Sequence, residues 1–403
     1  MRLRSGLHLT YCTNIHPGHG WAEVEANLQR VAPGLKARLS PSAPFGLGLR
    51  LAASEATELL RDDRLDRFRA FLDREGLYVA LINGFPYGSF HGSPVKTAVY
   101  APDWRDPARL AYTLNLIEIL QRLLPAGVDG GVSTSPLSYK PWMTSGDPEH
   151  WNLITDHIAQ AAEALVRARE THGVLIHLDI EPEPDCLIEN TSETIAFFER
   201  WLDPVGAPKL ATRLHVPDDD AQALLREHIR VCFDCCHVSV EFEDPLIALD
   251  RLRRAGIQVG RVQLSSALKA DLPAGGAGAM ASRLRPFADT TYLHQVVERQ
   301  RGQPLRHFPD LGAALDAAPA GGSEADREWR IHFHVPLFTA EYDGLASSQS
   351  DVRAVLHAVS DASVTNHLEI ETYTWDVLPP AMKLDVSESI AREYEWVLGV
   401  LGR

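Results

Sequence analysis

VLIHLDIEPEP, residues 174–184, has two unlike faces when read as a strand. Ile176, Leu178 and Ile180 point one way, and His177, Asp179 and Glu181 point the other. A strand of a helix-covered parallel sheet is normally apolar on both faces, because an ionisable group taken out of water needs a partner to offset the lost hydration. An ionisable face that ends on Glu181, at the strand's C-terminus, therefore predicts an interior that carries chemistry.

The same alternation recurs in four more segments. RIHFHVP (330–336) sets Ile331 and Phe333 against His332 and His334, and HLEIETYTW (367–375) sets Leu368 and Ile370 against His367, Glu369 and Glu371. VCFDCCH (231–237) sets Val231 and Phe233 against Cys232 and Asp234, and RVQLSS (261–266) sets Val262 and Leu264 against Arg261, Gln263 and Ser265.

Strand-like and helix-like segments alternate along the chain, as βα units around a parallel sheet do. Strands are expected at 7–11, 45–51, 77–83, 128–133, 174–181, 229–234, 259–265, 330–335 and 367–371, nine in all and one more than a barrel needs. Ser54 opens a helical run that stops at Gly76. Asp106-Pro107, Asp147-Pro148 and Asp244-Pro245 each place a capping carboxylate before a first-turn proline. The rhythm breaks between about 269 and 328, where GGAGAM and LDAAPAGGSEAD flank TYLHQVVERQ. Pairing 292–297 with 330–335 as an antiparallel ribbon would remove the ninth strand. A chain of 403 residues suits either two ordinary domains or one elaborated barrel. The strand phasing favours the second: an α/β chain forming one (β/α)8 TIM barrel over residues 1–403, with an insertion at about 269–328.

Against 39 Lys and Arg stand 54 Asp and Glu, a net charge of −15, which opposes binding to nucleic acid and to anionic membrane surfaces. The chain shows no apolar run of the ~20 residues that span a bilayer, and MRLRSGLHLTY enters strand-like alternation at once without a signal-peptide core, so a cytoplasmic protein is expected. Five cysteines cannot all pair internally, which fits a reducing compartment. Cys232-x-x-Cys235 is half of a zinc motif without its second half, and reads as core. No GxGxxG opens a first helix, and GxxxxGK[ST], HExxH and GxSxG are absent.

Active sites of such barrels lie at the C-terminal ends of the strands, which predicts convergence of Glu181, Asp234, Gln263, His334 and Glu371. Three carboxylates gathered there would raise one another's pKa unless a cation neutralised them, and oxygen and imidazole ligands suit a divalent Mn, Zn, Mg or Co ion. Asp179, Glu369 and His177, one layer deeper, read as supporting residues. Asn14 and His16 after the first strand, and Asn83, Tyr87 and His91 after the third, offer amides, rings and imidazoles to a hydroxylated small molecule, with His332 beside them. Glu183 and Asp185 in EPEPDC read equally as further site carboxylates or as a solvated acidic turn.

Glu181, the D-x-x-H of Asp234 and His237, and Glu371 resemble the xylose isomerase-like TIM barrels, a superfamily of sugar isomerases, epimerases and endonuclease IV-type enzymes. HLTYCTNIHPG, EPEPDC, FDCCH, TYLHQ, HFHVP and LEIETYTWDVLP together resemble the EboE-type metabolite traffic proteins. The resemblance implies metal ligands at Glu181, Asp234 and Glu371, and a histidine where this chain has Gln263. His334 or His294 could take that role, and His237 could add a nitrogen. It also implies a small-molecule metabolite and further proteins of the same pathway as partners. The expectation is a metal-dependent isomerase or epimerase of a sugar- or cyclitol-like polyol, with Glu181 and Glu371 as acid and base. A binding protein without turnover is the alternative, and a phosphodiesterase a more distant one that the charge disfavours.

Overall fold

The computed structural model describes residues 1–89, 95–143, 147–274, 277–317, 325–360 and 363–402. Seven parallel strands come first: β1 (His8–Tyr11), β2 (Phe45–Arg50), β3 (Leu77–Asn83), β4 (Gly130–Thr134), β5 (Ile176–Ile180), β6 (Ile229–Asp234) and β7 (Val259–Leu264). The chain then builds a second, antiparallel sheet from β8 (Ser266–Leu272), β9 (Val296–Gln300), β10 (Arg306–Phe308), β11 (Arg327–Val335), β12 (Glu341–Tyr342) and β13 (Leu345–Ser347). It returns as β14 (His367–Ile370), which pairs with β7 and β1. The parallel order is β1-β14-β7-β6-β5-β4-β3-β2, and a bridge between Cys12 and Gly48 brings the two outer strands together. With helices alternating around it, this is a nearly closed (β/α)8 TIM barrel.

The aspartate caps form as the sequence reads. Asp106 accepts from the Ala108 amide, Asp147 from that of Glu149, and Asp244 from those of Leu246 and Ile247. The run opened by Ser54 is instead two helices, Ala53–Leu59 and Arg64–Glu75, and Glu55 rather than Ser54 accepts from the first free amide, at Ala52. Gly76 ends the second helix in the left-handed region, at φ 66°.

The segment 330–335 is not a barrel strand. It lies in β11, antiparallel to β8 and β9, with Arg330 opposite Val297 and Ile331 opposite Val296. The ribbon is therefore formed in the register expected of 292–297 with 330–335, with its paired residues at 296–300 and 327–331. The second sheet also reaches from Ser266 to Ser347, further than 269–328. Its first strand follows β7 with only Ser265 between them, and no glycine or proline marks the change of sheet.

The barrel interior holds a charged floor. Arg261 is fully buried, donating from Nε to Asp179 Oδ2 and from Nη1 to Glu369 Oε2, both at 3.0 Å. Its Nη2 reaches the carbonyls of Ile82 and Gly131. Space for this layer comes from residues without side chains. A Cβ at Gly260 would sit 1.8 Å from Asp179 Oδ1, and one at Gly48 would sit 1.7 Å from Glu369 Oε1. Gly260 is also the extra residue of a bulge, since Val231 pairs with Val259 and Cys232 with Arg261.

Gly260→Ala should therefore destabilise the protein by about 3 kcal/mol in urea titration, because the clash falls on a carboxylate already locked in a buried ion pair. Gly34→Ala, in the helix Trp21–Leu39 with no atom within 4 Å of the added carbon, should instead stabilise it by up to about 1 kcal/mol.

Candidate functional site

Two residues beyond each member of the floor, the chain reaches the C-terminal mouth of the barrel. Asp179 leads to Glu181, Arg261 to Gln263, and Glu369 to Glu371. The amides of Glu181 and Glu371 still bond to the neighbouring strands, at Thr134 O and Leu264 O, which fixes where both side chains start. Above them opens a cavity of about 540 Å³, counting its open mouth. Asn14, Asn83, Lys96, Glu181, Glu183, His237, His332, His334 and Glu371 form its polar part, with Lys96 paired to Asp310, and Phe85, Tyr292 and Tyr373 stand among its other walls.

Asp234, Glu371 and His334 are each held by one atom and offer another. Asp234 Oδ1 caps the helix Cys235–Val240 by accepting from the His237 amide and also accepts from Ser265 Oγ at 2.8 Å, while Oδ2 has no partner among the described residues. Glu181 Oε2 is likewise buried without a partner. Asn14 and Asn83 both donate to Glu371 Oε1, at 2.9 and 3.1 Å, leaving its second oxygen to the cavity. His334 donates from Nδ1 to the carbonyl of Glu371 at 2.8 Å, so its lone pair is on Nε2, again without a partner.

His237 and His332 carry the clearest signal. His237 gives its Nδ1 proton to Pro182 O, and His332 gives its own to Gln295 Oε1, each at 2.8 Å. Both therefore present a lone pair at Nε2, yet the two Nε2 atoms stand 3.1 Å apart. Lone pairs at that distance repel unless something positive lies with them. Ligand atoms of Asp234, His237 and His334 lie within 4.8 Å of one another, as do those of Glu183, His237 and His332. The partnerless oxygens and nitrogens, with Nδ1 protons fixed by carbonyl acceptors, are the donor set a divalent cation takes.

The electrostatics agree. Burial pushes Glu181 well above the usual carboxylate range, and the charges of Glu371, Asp234 and Glu183 push it further. Glu371 is raised by burial and by Asp234 and Glu369, against the opposing pull of Arg261 and Asn14. Burial lowers His334 to about 4, which keeps its ring neutral and its lone pair available.

Several expected residues stand elsewhere or play another part. His16 bonds through Nε2 to Tyr11 OH and lines a separate cleft with Thr13 and Arg50, because the chain turns away after the 3-10 turn Thr13–Ile15. Tyr87 packs edge-on against Tyr112 beneath the Arg109 guanidinium instead of lining the cavity. His91 lies outside the described residues. Gln263 is buried with its oxygen accepting from the Cys232 thiol at 2.6 Å, and its nitrogen has no acceptor among the described residues. An amide nitrogen holds no cation, so this orientation suits hydrogen bonding to a ligand oxygen. His294 is tied to Asp289 and to the carbonyl of His332, and so orients the second sheet.

Glu183, left open between site and turn, is buried in the cavity wall, where it accepts from Tyr100 OH at 2.7 Å and lies 3.4 Å from His332 Nδ1. Asp185 falls outside the cavity lining. Tyr100 and Gln295, which orient Glu183 and His332, carried no signal in composition or spacing. The five cysteines are free and buried, as a core reading requires.

No protein-family model matches the chain, and no curated protein does. Solved structures do. A xylose isomerase-like TIM barrel protein from Mycobacterium smegmatis in complex with magnesium aligns over 98% of this chain and 96% of its own, with TM-score 0.51 and 12% identity. The IolI protein with a bound zinc atom aligns over 98% of both chains, with TM-score 0.49 and 10% identity. An L-ribulose 3-epimerase aligns over 98% of this chain and 94% of its own, with TM-score 0.47 and 13% identity. The chain shares a (β/α)8 barrel fold with the first of these. No described helix is long and apolar enough to cross a membrane.

A pH test follows for the protein held in chelator. The ordinary pKa of Glu181 and Glu371 is 4.5, and the folded values are higher, so their stabilising contribution is complete below that pH and is lost as pH rises towards the folded values. His334 works the other way: its contribution is complete above 6.5 and is lost as pH falls towards 4. Above 6.5 it no longer titrates. As pH rises above 4.5 the urea midpoint of Glu181→Gln should therefore rise relative to wild type, and a saturating divalent cation should abolish that trend.

Proposed function

We propose that this protein is a metal-dependent isomerase or epimerase acting on a sugar- or cyclitol-like polyol. The observation that carries the reading is the set of buried, partnerless ligand atoms on Glu181, Asp234 and His334, beside the facing lone pairs of His237 and His332. Glu181, Asp234, His334 and Glu371 would hold the ion, with His237 a further nitrogen ligand. A divalent cation bound there would neutralise the carboxylates and polarise an oxygen of the substrate, favouring loss of a proton from the adjacent carbon.

The chain's own groups supply the rest. Glu181 and Glu371 stand on different walls, at the ends of β5 and β14. One can take a proton from a carbon next to a carbonyl while the other returns one from its own side. Asn14 and Asn83 hold Glu371 by one oxygen, so its other oxygen is presented in a fixed direction. Glu183 remains to bind hydroxyls, and Phe85 and Tyr373 offer ring faces to the carbon skeleton.

Placement among the EboE-type metabolite traffic proteins, with proteins of the same pathway as partners, rests on the motifs quoted above. It makes a metal-containing metabolite binder without turnover the second reading.

Metal-loaded protein incubated with ketoses and cyclitol ketones in deuterated water should exchange deuterium into carbon, and Glu371→Gln should slow that exchange by at least about 100-fold. Absence of exchange, with the variant indistinguishable from wild type, would overturn the enzyme reading, and tight binding without exchange would favour the second. Independently, His334→Ala should weaken cation binding by at least about 100-fold in a direct titration.

A further inference from the structure

A second cluster of ligand-type side chains lies at the opposite, N-terminal end of the barrel. Asp129 immediately precedes β4, His177 is the second residue of β5, and His367 is the first of β14. One ligand atom from each lies within 4.8 Å of the others. The strands concerned are not all neighbours: β4 and β5 pair with each other, whereas β14 lies between β7 and β1. The three side chains meet across the barrel's interior.

The hydrogen bonding leaves this cluster incomplete. His177 is fully buried, and its Nδ1 is 2.5 Å from Asp179 Oδ1. Asp179 is ionised, since its other oxygen receives Arg261 Nε, so the proton between them belongs to His177 Nδ1. The Nε2 of His177 is then a lone pair, and no donor reaches it among the described residues. His367 is also fully buried, with Nε2 hydrogen-bonded to Asp129 Oδ1 at 3.1 Å and Nδ1 without a partner among the described residues. Asn366 Nδ2 reaches both oxygens of Asp129 at 3.3 Å and orients it, and Arg230 Nη1 lies 3.8 Å away. Asp129 itself is partly exposed, so the cluster can be reached from solvent.

A carboxylate behind an imidazole that offers its other nitrogen is how metal-binding histidines are oriented. With bonds of about 2.0 Å, ligand atoms around a tetrahedral ion lie roughly 3.3 Å apart, close to the spacing of Asp129 and His367. Two imidazoles and one carboxylate form a mixed nitrogen and oxygen set, which suits a transition-metal dication of the zinc type better than magnesium or calcium.

We infer that Asp129, His177 and His367 form a second divalent transition-metal site, separate from the cavity, which ties β4 and β5 to β14 across the floor of the barrel. Its role is structural. Neither the cavity residues nor the proposed reaction enters the argument.

Zinc is the probe. Protein stripped with chelator and reloaded with Zn²⁺ should hold one ion more per chain than Asp129→Asn, measured by elemental analysis after desalting. His177→Asn keeps a donor towards Asp179 while removing the Nε2 lone pair, and should lose the same single ion. Asp234→Asn, which alters only the cavity cluster, should keep the ion that these two variants lose. In that background Zn²⁺ should still raise the melting temperature, and Asp129→Asn added to it should remove the rise. If Asp129→Asn and His177→Asn each bind as much zinc as wild type, or if zinc leaves the melting temperature of Asp234→Asn unchanged, the site does not exist and the cluster is a buried hydrogen-bond network only. Should one variant fail to fold, the other decides alone.

Discussion

One buried guanidinium governs the interior of this barrel. Arg261 sits where a parallel barrel is normally packed with branched apolar side chains, and its charge is held by Asp179, Glu369 and two main-chain carbonyls. Removing one member of a buried ion pair strands the other, at a cost of about 3–5 kcal/mol, so the layer stands or falls as a unit. It also dictates spacing. Side chains repeat on one face of a strand every second residue, so Glu181, Gln263 and Glu371 stand one pleat, roughly 6.6 Å, above Asp179, Arg261 and Glu369. A rigid charged floor thus sets the height and azimuth of the residues at the mouth. The bulge at Gly260 belongs to the same arrangement, because it makes room for the Asp179 carboxylate beneath.

Barrel and insertion both contribute to the site. The barrel supplies oxygen from Glu181, Asp234 and Glu371 and one imidazole, His237 on the helix after β6, whereas the second sheet supplies two imidazoles, His332 and His334 on β11. The β11 register against β8 shifts between Ile331 and His334, and this irregularity lies at the two histidines that line the cavity. Thr374 Oγ1 bonds to the carbonyl of His334, and His334 Nδ1 to that of Glu371, so the end of β14 and the inserted sheet are joined at the site itself. With Gln263 on β7 occupied by Cys232, the insertion provides imidazole where that barrel strand does not.

Much of this was legible in residue order because a strand's period is simple. The polar face of VLIHLDIEPEP and its counterparts announced both the barrel and the side on which its chemistry lies. HFHVP announced two histidines on one face, although the strand bearing them belongs to another sheet, since alternation records which way side chains point and not which neighbours a strand has. Loop residues were harder. His16 and Tyr87 looked as suitable as Asn14 and Asn83, yet only the asparagines reach Glu371. Tyr100 and Gln295 reach Glu183 from far along the chain, through side-chain contacts that no local pattern encodes.

By itself, the sequence determined that the interior is ionisable, that its C-terminal ends carry Glu181, Asp234 and Glu371, and that helices with aspartate caps enclose it. These properties depend on periodicity and on backbone chemistry within a few residues, so they are written locally. Only the tertiary structure decided that His334 comes to the mouth from outside the barrel, that His237 and His332 confront each other, and that Asp129, His177 and His367 meet at the opposite end. Those relations depend on the closure of strands far apart in sequence, and in a closed barrel the distance between two side chains is set by shared neighbours across the interior and not by the number of residues between them.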